Sequence, residues 1–240
     1  MDRHHYASDS FAAPVTNPVT VQTVLMLWCM NPRWTSSIID VEGAFLQGHF
    51  ENGKELYMEV PDGFERYYSG DVVLQLNIPI YVTKQGVYCF FKMFKKHVRN
   101  MTYEQSQADP CLYFAWRDNA LVILVAWVDN IMILGHPDMV EQAQQDLRRA
   151  FTCKYEGKLT EYVASKLDLY RDNLGLGRVK FTQPVLVQKL EEEYTPPDGI
   201  ALKAPAVEGQ VLVKGDGDGM VHESMAKMYQ SATATCIYVM

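Results

Sequence analysis

Residues 121–134 constrain the fold of this chain more than any other stretch. Two β-rich apolar runs, Leu121-Val-Ile-Leu-Val-Ala-Trp127 and Ile131-Met-Ile-Leu134, flank Val128-Asp129-Asn130. Runs of this kind joined by so few residues form an antiparallel hairpin, and Asp-Asn suits the positive φ angles of a tight turn. Asp129 is thereby expected at the hairpin tip. An acid of similar company stands upstream, where Ser36-Ser37-Ile38-Ile39-Asp40-Val41 reads as a short buried strand ending in Asp40. An ionised carboxylate amid such apolar neighbours is costly unless it reaches water, a hydrogen-bond donor or a cation. Each acid alone has a plainer reading, Asp129 as an exposed turn residue and Asp40 as a cap on the turn that follows.

Around these two strands the pattern alternates between helix and sheet. Val21, Val24, Leu25 and Trp28 recur at helical spacing and stop before Asn31-Pro32. Val87, Phe90, Phe91, Phe94, Val98 and Met101 make one face of an amphipathic helix over 87–101. Asp138 to Phe151 reads as a helix with Val140, Ala143, Leu147 and Phe151 inward, capped by Asp138 after Pro137. A short strand ending near Phe181 and a helix from Gln183 to Tyr194 follow. Interleaved strands and helices with at least one hairpin favour an α+β fold, an antiparallel sheet backed by helices. Between Tyr194 and Tyr229 the density of Pro, Gly and Asp marks a long connection. The expected organisation is one domain over 1–194, followed by that connection and a terminal helix over 195–240. With 48% apolar residues in 240, the chain can bury a core of that size.

A net charge of −7 counts against tight nucleic-acid binding unless a local basic patch exists. One candidate patch is the polar face of the 87–101 helix and its approach: Lys84, Lys92, Lys95, Lys96 and Arg99 meet no acid before Glu104. A solvated helix face is the plainer reading of the same residues. The five cysteines are widely spaced with no C-x-x-C pair, which fits reduced thiols in an intracellular protein, cytoplasmic or nuclear. The N-terminus has no signal-peptide core, and the longest apolar run is interrupted by Asp129 and Asn130, so no membrane span is expected. Two motif imitations fail on chemistry. Gly48 to Lys54 resembles a phosphate loop, yet Glu55 stands where a magnesium-binding hydroxyl belongs. Asp216-Gly-Asp-Gly219 resembles a calcium loop, yet Met220 occupies the third ligand position.

The order and company of the two acids carry a family resemblance. Asp40-Val-Glu-Gly-Ala-Phe-Leu-Gln-Gly48 is similar to the D-V-K-T-A-F-L-N-G segment of copia-type retrotransposon reverse transcriptases, and Trp127-Val-Asp-Asn130 stands where that family has Y-V-D-D. Ser10-Phe-Ala-Ala-Pro-Val15 resembles its T-F-A-P-V-V, and Leu56-Tyr-Met-Glu-Val-Pro-Asp-Gly-Phe64 resembles its V-Y-M-E-Q-P-P-G-F. Ile80-Tyr-Val-Thr-Lys-Gln-Gly86 is similar to L-Y-G-L-K-Q-A, Asp109-Pro-Cys-Leu-Tyr113 to D-P-C-L-Y, and Tyr229-Gln-Ser-Ala232 to Y-R-S-A. Seven such segments in the right order cover nearly the whole chain.

The resemblance implies a polymerase palm with a partial fingers region, in which a primer hydroxyl attacks the α-phosphate of a deoxynucleoside triphosphate. Magnesium, with manganese as an alternative, would assist. It further implies Asp40 and Asp129 as metal ligands, with the Val41 carbonyl beside them, and Asn130 in place of a third catalytic carboxylate. Ala44 and Phe45 would receive the nucleotide, with Lys84 and Gln85 contacting it. Lys92, Lys95, Lys96 and Arg99 would lie near an RNA or DNA template-primer backbone. Three departures bear on activity. Asn130 keeps an oxygen ligand but loses a charge, and a deficit of ~3 kcal/mol in the transition state costs over about a hundredfold in rate. Val87-Tyr88 replace the family's Pro-Arg, and Gln22 replaces an Arg. The chain also begins after the family's basic K-A-R-L-V segment, as a fragment truncated at its fingers would. Two readings follow: an RNA-directed DNA polymerase domain impaired at Asn130, or a catalytically inactive retrotransposon remnant that binds nucleic acid or protein.

Overall fold

The computed structural model describes residues 13–50, 55–68, 70, 72–81, 83–194 and 222–239. In chain order these form α1 (Pro18–Met30), β1 (Thr35–Val41), α2 (Ala44–Gln47), β2 (Leu56–Glu59), β3 (Val73–Leu76) and α3 (Lys84–Asn100). They continue with β4 (Glu104–Gln105), β5 (Leu112–Arg117), β6 (Ala120–Trp127), β7 (Asn130–Gly135), α4 (Pro137–Ala150) and β8 (Cys153–Gly157). Then come β9 (Glu161–Tyr162), β10 (Ser165–Arg171), β11 (Gly177–Thr182), α5 (Pro184–Tyr194) and α6 (Glu223–Val239). The lysine of the 48–54 imitation, the Asp216–Gly219 imitation, the 195–221 connection and the Ser10–Ala12 part of the first family segment lie outside the described residues.

An antiparallel sheet in the order β4-β5-β6-β7-β1-β8 organises the chain. The apolar runs of β1, β6 and β7 are continuous because both faces of this sheet are covered, so successive side chains enter two different cores. Ile39, Val41, Val122, Leu124, Ile131 and Ile133 meet Phe90, Phe94 and Val98 of α3 and Val140, Ala143 and Leu147 of α4. Ile38, Ile123, Val125, Met132 and Leu134 meet Val21, Val24, Leu25 and Trp28 of α1. Burying each large aliphatic side chain contributes about 1.5–3 kcal/mol, and the central strands are all but inaccessible to water. The sequence expectation of an antiparallel sheet backed by helices is met, in an α+β fold. No helix among the described residues is long and apolar enough to cross a membrane.

Several polar groups inside this frame find partners across the fold, while Trp28 Nε1 and the Tyr103 hydroxyl are buried without one. The Asn17 side chain caps α1 by accepting from Val19 N at 2.9 Å, and buried Asp109 accepts from Asn17 N at 2.9 Å and Cys111 N at 2.8 Å. The C-terminal carbonyls of α1, orphaned as at any helix end, receive the Arg171 guanidinium. It donates to Trp28 O at 3.2 Å, Cys29 O at 3.1 Å and Asn31 O at 2.7 Å while lying 4.0 Å over the Trp28 ring.

Two helix starts differ from the sequence pattern for reasons visible at their caps. Helix α3 starts at Lys84 rather than Val87, because the Thr83 hydroxyl accepts from Gly86 N at 3.2 Å and fixes the first turn. Helix α4 is capped by His136 without a side-chain bond to the helix, and Asp138 sits inside the first turn, where a carboxylate favours the positive end of the helix dipole.

The chain divides into two units, Met1–Val163 with Leu167–Lys180, and Ala164–Lys166 with Phe181–Met240. The first contains the sheet and its cores. In the second, α5 packs against α6.

Candidate active site

Strand β1 is where the two acids meet. Its register with β7 pairs Asp40 directly opposite Asn130, and its register with β8 pairs Asp40 with Lys154. Directly opposed residues of an antiparallel pair share a face with Cβ atoms ~4.5–5.5 Å apart, so Asp40, Asn130 and Lys154 project together. The face is that of Ile38 and Met132, the α1 side of the sheet.

Asp129 joins them through the backbone. The hairpin closes on the pair Trp127 and Asn130, leaving Val128 and Asp129 as a two-residue loop. Val41 N then donates to Asp129 O at 2.8 Å, which holds the loop against the end of β1. The positive φ expected of Asp129-Asn130 falls instead on Val128, at 53°. A β-branched residue there is strained, a cost of order 1–3 kcal/mol. The register accounts for the shift, since Asn130 already belongs to β7. By contrast, the β5–β6 hairpin turns on Asp118-Asn119, with φ of 48° and 61°, as such a pair does without strain.

The electrostatics follow from this crowding. Burial pushes the Asp40 carboxyl above the usual carboxylate range, and the negative charge of Asp129 pushes it the same way, with Lys154 opposing and Glu42 adding to the rise. Asn130 Nδ2 donates to Asp129 Oδ1 at 3.0 Å, so the amide occupies one oxygen of the neighbouring carboxylate. Among the described residues no group of three or more His, Cys, Asp or Glu side chains converges as a metal centre. The donor set at this strand end is two carboxylates with backbone carbonyls. These hard oxygens suit a magnesium or manganese ion, whose charge would relieve the repulsion felt by Asp40.

The remaining sequence-expected residues occupy two further places. Ala44 is buried in the α3 side of the core, and Phe45 packs edge-on to Tyr81 with centroids 4.8 Å apart. Gly86 closes this corner: a Cβ there would stand 2.9 Å from Ile80 O and 3.6 Å from Phe45 Cβ. Gln85, half-buried, and Lys84 begin α3 beside it. Phe45 and the start of α3 are thus held together just beyond the end of β1. Lys92, Lys96 and Arg99 are exposed and Lys95 is half-buried. Their helix packs on the opposite face of the sheet from that of Asp40 and Asn130.

Lys154 and Tyr81 belong to the neighbourhood and were not singled out by the sequence pattern. Strand β8 carries Lys154 in Cys-Lys-Tyr-Glu-Gly, a short alternating run whose register with Asp40 exists only through pairing. Tyr81 falls within the Ile80–Gly86 segment, and only its edge-on contact with Phe45 distinguishes it.

With this geometry in place, likeness to other proteins becomes informative. The profile of the family described as reverse transcriptase (RNA-dependent DNA polymerase) matches residues 2–195. The chain is 28% identical over 239 residues to the retrovirus-related Pol polyprotein from transposon TNT 1-94 of Nicotiana tabacum, covering 97% of this chain and 17% of that protein. It is 24% identical over 177 residues to the corresponding polyprotein from transposon RE2 of Arabidopsis thaliana, covering 73% of this chain and 12% of that protein. The transposon RE1 polyprotein of the same plant is 23% identical over 177 residues, with 73% and 12% covered. The chain therefore spans under a fifth of the length of these relatives.

Proposed function

We propose, for a chain that belongs to the reverse transcriptase (RNA-dependent DNA polymerase) family, that its β1–β7 strand end is a nucleotidyl-transfer site weakened at Asn130. The observation that carries this reading is the direct opposition of Asp40 and Asn130, with Asp129 tied to Val41 N beside them. Asp40, Asp129 and the Val41 carbonyl would hold the divalent metal. When bound, magnesium or manganese would polarise the α-phosphate and stabilise the attacking and leaving oxygens of an in-line displacement. The chain's own part is positional. Asp40 and Asp129 supply fixed negative charge at one strand end. The Phe45–Tyr81 edge offers a wall for a sugar, and Gln85 at the start of α3 offers an amide to a nucleotide. Template-primer nucleic acid and deoxynucleoside triphosphates are the corresponding substrates.

Asn130 opposes full activity in two ways. It carries no charge, and its amide donates to the Asp129 oxygen that a metal would use. This bond specifically favours the second reading, a polymerase palm retained without catalysis. A primer-extension assay on a homopolymer template, with magnesium and separately with manganese, distinguishes the two. The weakened-site reading expects little synthesis by the chain and a gain of at least about a hundredfold for Asn130→Asp, the equivalent of ~3 kcal/mol. Vigorous synthesis by the unaltered chain would remove Asn130 from the account. Silence in both proteins would favour the inactive palm.

A further inference from the structure

On the opposite face of the sheet, α2, α3 and the C-terminal end of α4 border two adjoining open clefts of about 460 and 710 Å³, which share Gln47 and Ala150. Among the described residues their charged lining is of one sign. Arg148 and Arg149 line the smaller cleft, and Lys92 and Lys96 line the larger together with His49 and His97. No Asp or Glu lines either cleft among the described residues, in a chain whose net charge is −7. Lys92 and Lys96 lie one helical turn apart, about 6 Å along the axis of α3. Arg149 has Asp146 at 3.6 Å beside it, and Lys92 lies 5.3 Å over the Tyr88 ring. The imidazole of His97 is fixed by Met93 O at 2.9 Å from Nδ1 and by the Phe151 ring at 5.2 Å.

We propose that this groove binds a single strand of RNA, separately from the Asp40–Asn130 strand end. Cations lining adjoining clefts attract a phosphate backbone, and the flat side chains of His49, Phe50 and His97 beside them offer stacking surfaces to unpaired bases. That pairing of features distinguishes a single strand from a duplex, whose bases are already stacked on one another. The acidic remainder of the chain confines a polyanion to this groove. The proposal rests on the polymerase reading only for the choice of RNA among polyanions.

A labelled oligouridylate titrated with the full chain, by fluorescence anisotropy in chelator over a series of salt concentrations, tests it. Each single-strand phosphate contact contributes a slope of about −0.7 in log affinity against log salt. Lys92→Gln with Lys96→Gln, and separately Arg148→Gln with Arg149→Gln, should each reduce the slope by about 1.4 and weaken binding on the order of twentyfold at ~0.1 M salt. The pair Lys158→Gln and Lys180→Gln removes the same charge elsewhere and should change neither. All of these side chains are exposed, and thermal melts identify any pair that fails to fold, leaving the other to decide. Absence of RNA binding by the unaltered chain at low salt would overturn the proposal. So would equal weakening by the control pair, or equal competition from polyglutamate, which would indicate an acidic protein partner. Because metal is excluded, a failed primer extension leaves these results intact, and loss of RNA binding leaves the metal-site reading intact.

Discussion

Replacing Asn130 by Asp should destabilise the metal-free protein and make its stability metal-dependent. The substitution removes the 3.0 Å hydrogen bond to Asp129 and puts a carboxylate directly opposite Asp40. A hydrogen bond to a charged group contributes roughly 1.5–3 kcal/mol, less where water reaches it, as at this half-buried strand end. Two carboxylates ~5 Å apart repel by roughly 1–3 kcal/mol between the limits of bulk water and a protein surface. Taken together, a loss of about 3 kcal/mol is expected at neutral pH, which for a domain of this size lowers the melting temperature by about 6–12 °C. A divalent cation at a hundred times its dissociation constant returns about 2.7 kcal/mol, nearly the whole deficit. Circular-dichroism melts of both proteins, in chelator and across a manganese titration, provide the measurement. If Asn130→Asp melts with the unaltered chain in chelator and manganese moves neither, then residues 40, 129 and 130 share no common field and the reasoning fails.

Asp40→Asn should raise the melting temperature at neutral pH. A carboxyl whose pKa is raised by folding contributes stability below the ordinary carboxylate range and loses it as pH rises through the folded value, so the gain should vanish in acid. A gain equal at both pH values would contradict this. Gly177→Ala should cost towards the upper end of ~1–3 kcal/mol in denaturant unfolding, because its Cβ would overlap Cys29 Cα, which is backbone and cannot step aside. A midpoint unchanged from the unaltered chain would show that the close approach is relaxed in solution. Thr83→Ala should cost about 1 kcal/mol by removing the cap of α3, read out as a lower unfolding midpoint with unchanged slope.

The parts of the site written in local pattern were legible in advance. The apolar runs of β6 and β7 around Asp129, and the strand ending at Asp40, needed only period and propensity. Pairing partners beyond that one hairpin were not legible. The run Cys153 to Gly157 alternates apolar and polar, but nothing local says that it pairs with β1, so Lys154 entered the site only through its register with Asp40. Side-chain preference puts the positive φ on Asp129-Asn130, whereas register puts it on Val128, a β-branched residue that disfavours it. Helix α2 has four residues, too few for any periodicity, yet it places Phe45 against Tyr81. The basic residues of α3 were visible as a charge run. Which side of the sheet they occupy depended on Phe90, Phe94 and Val98 packing onto Ile39 and Ile133 rather than onto Ile38 and Met132.

The central claim is that Asp40 and Asp129 form a divalent-metal site that lacks one acid at Asn130. Manganese binding followed by electron paramagnetic resonance tests it without requiring turnover. The account predicts weak binding by the unaltered chain, binding at least about tenfold tighter for Asn130→Asp, equivalent to ~1.4 kcal/mol, and loss of binding in both when Asp40→Asn is added. Equal manganese affinity in all of these proteins would contradict it.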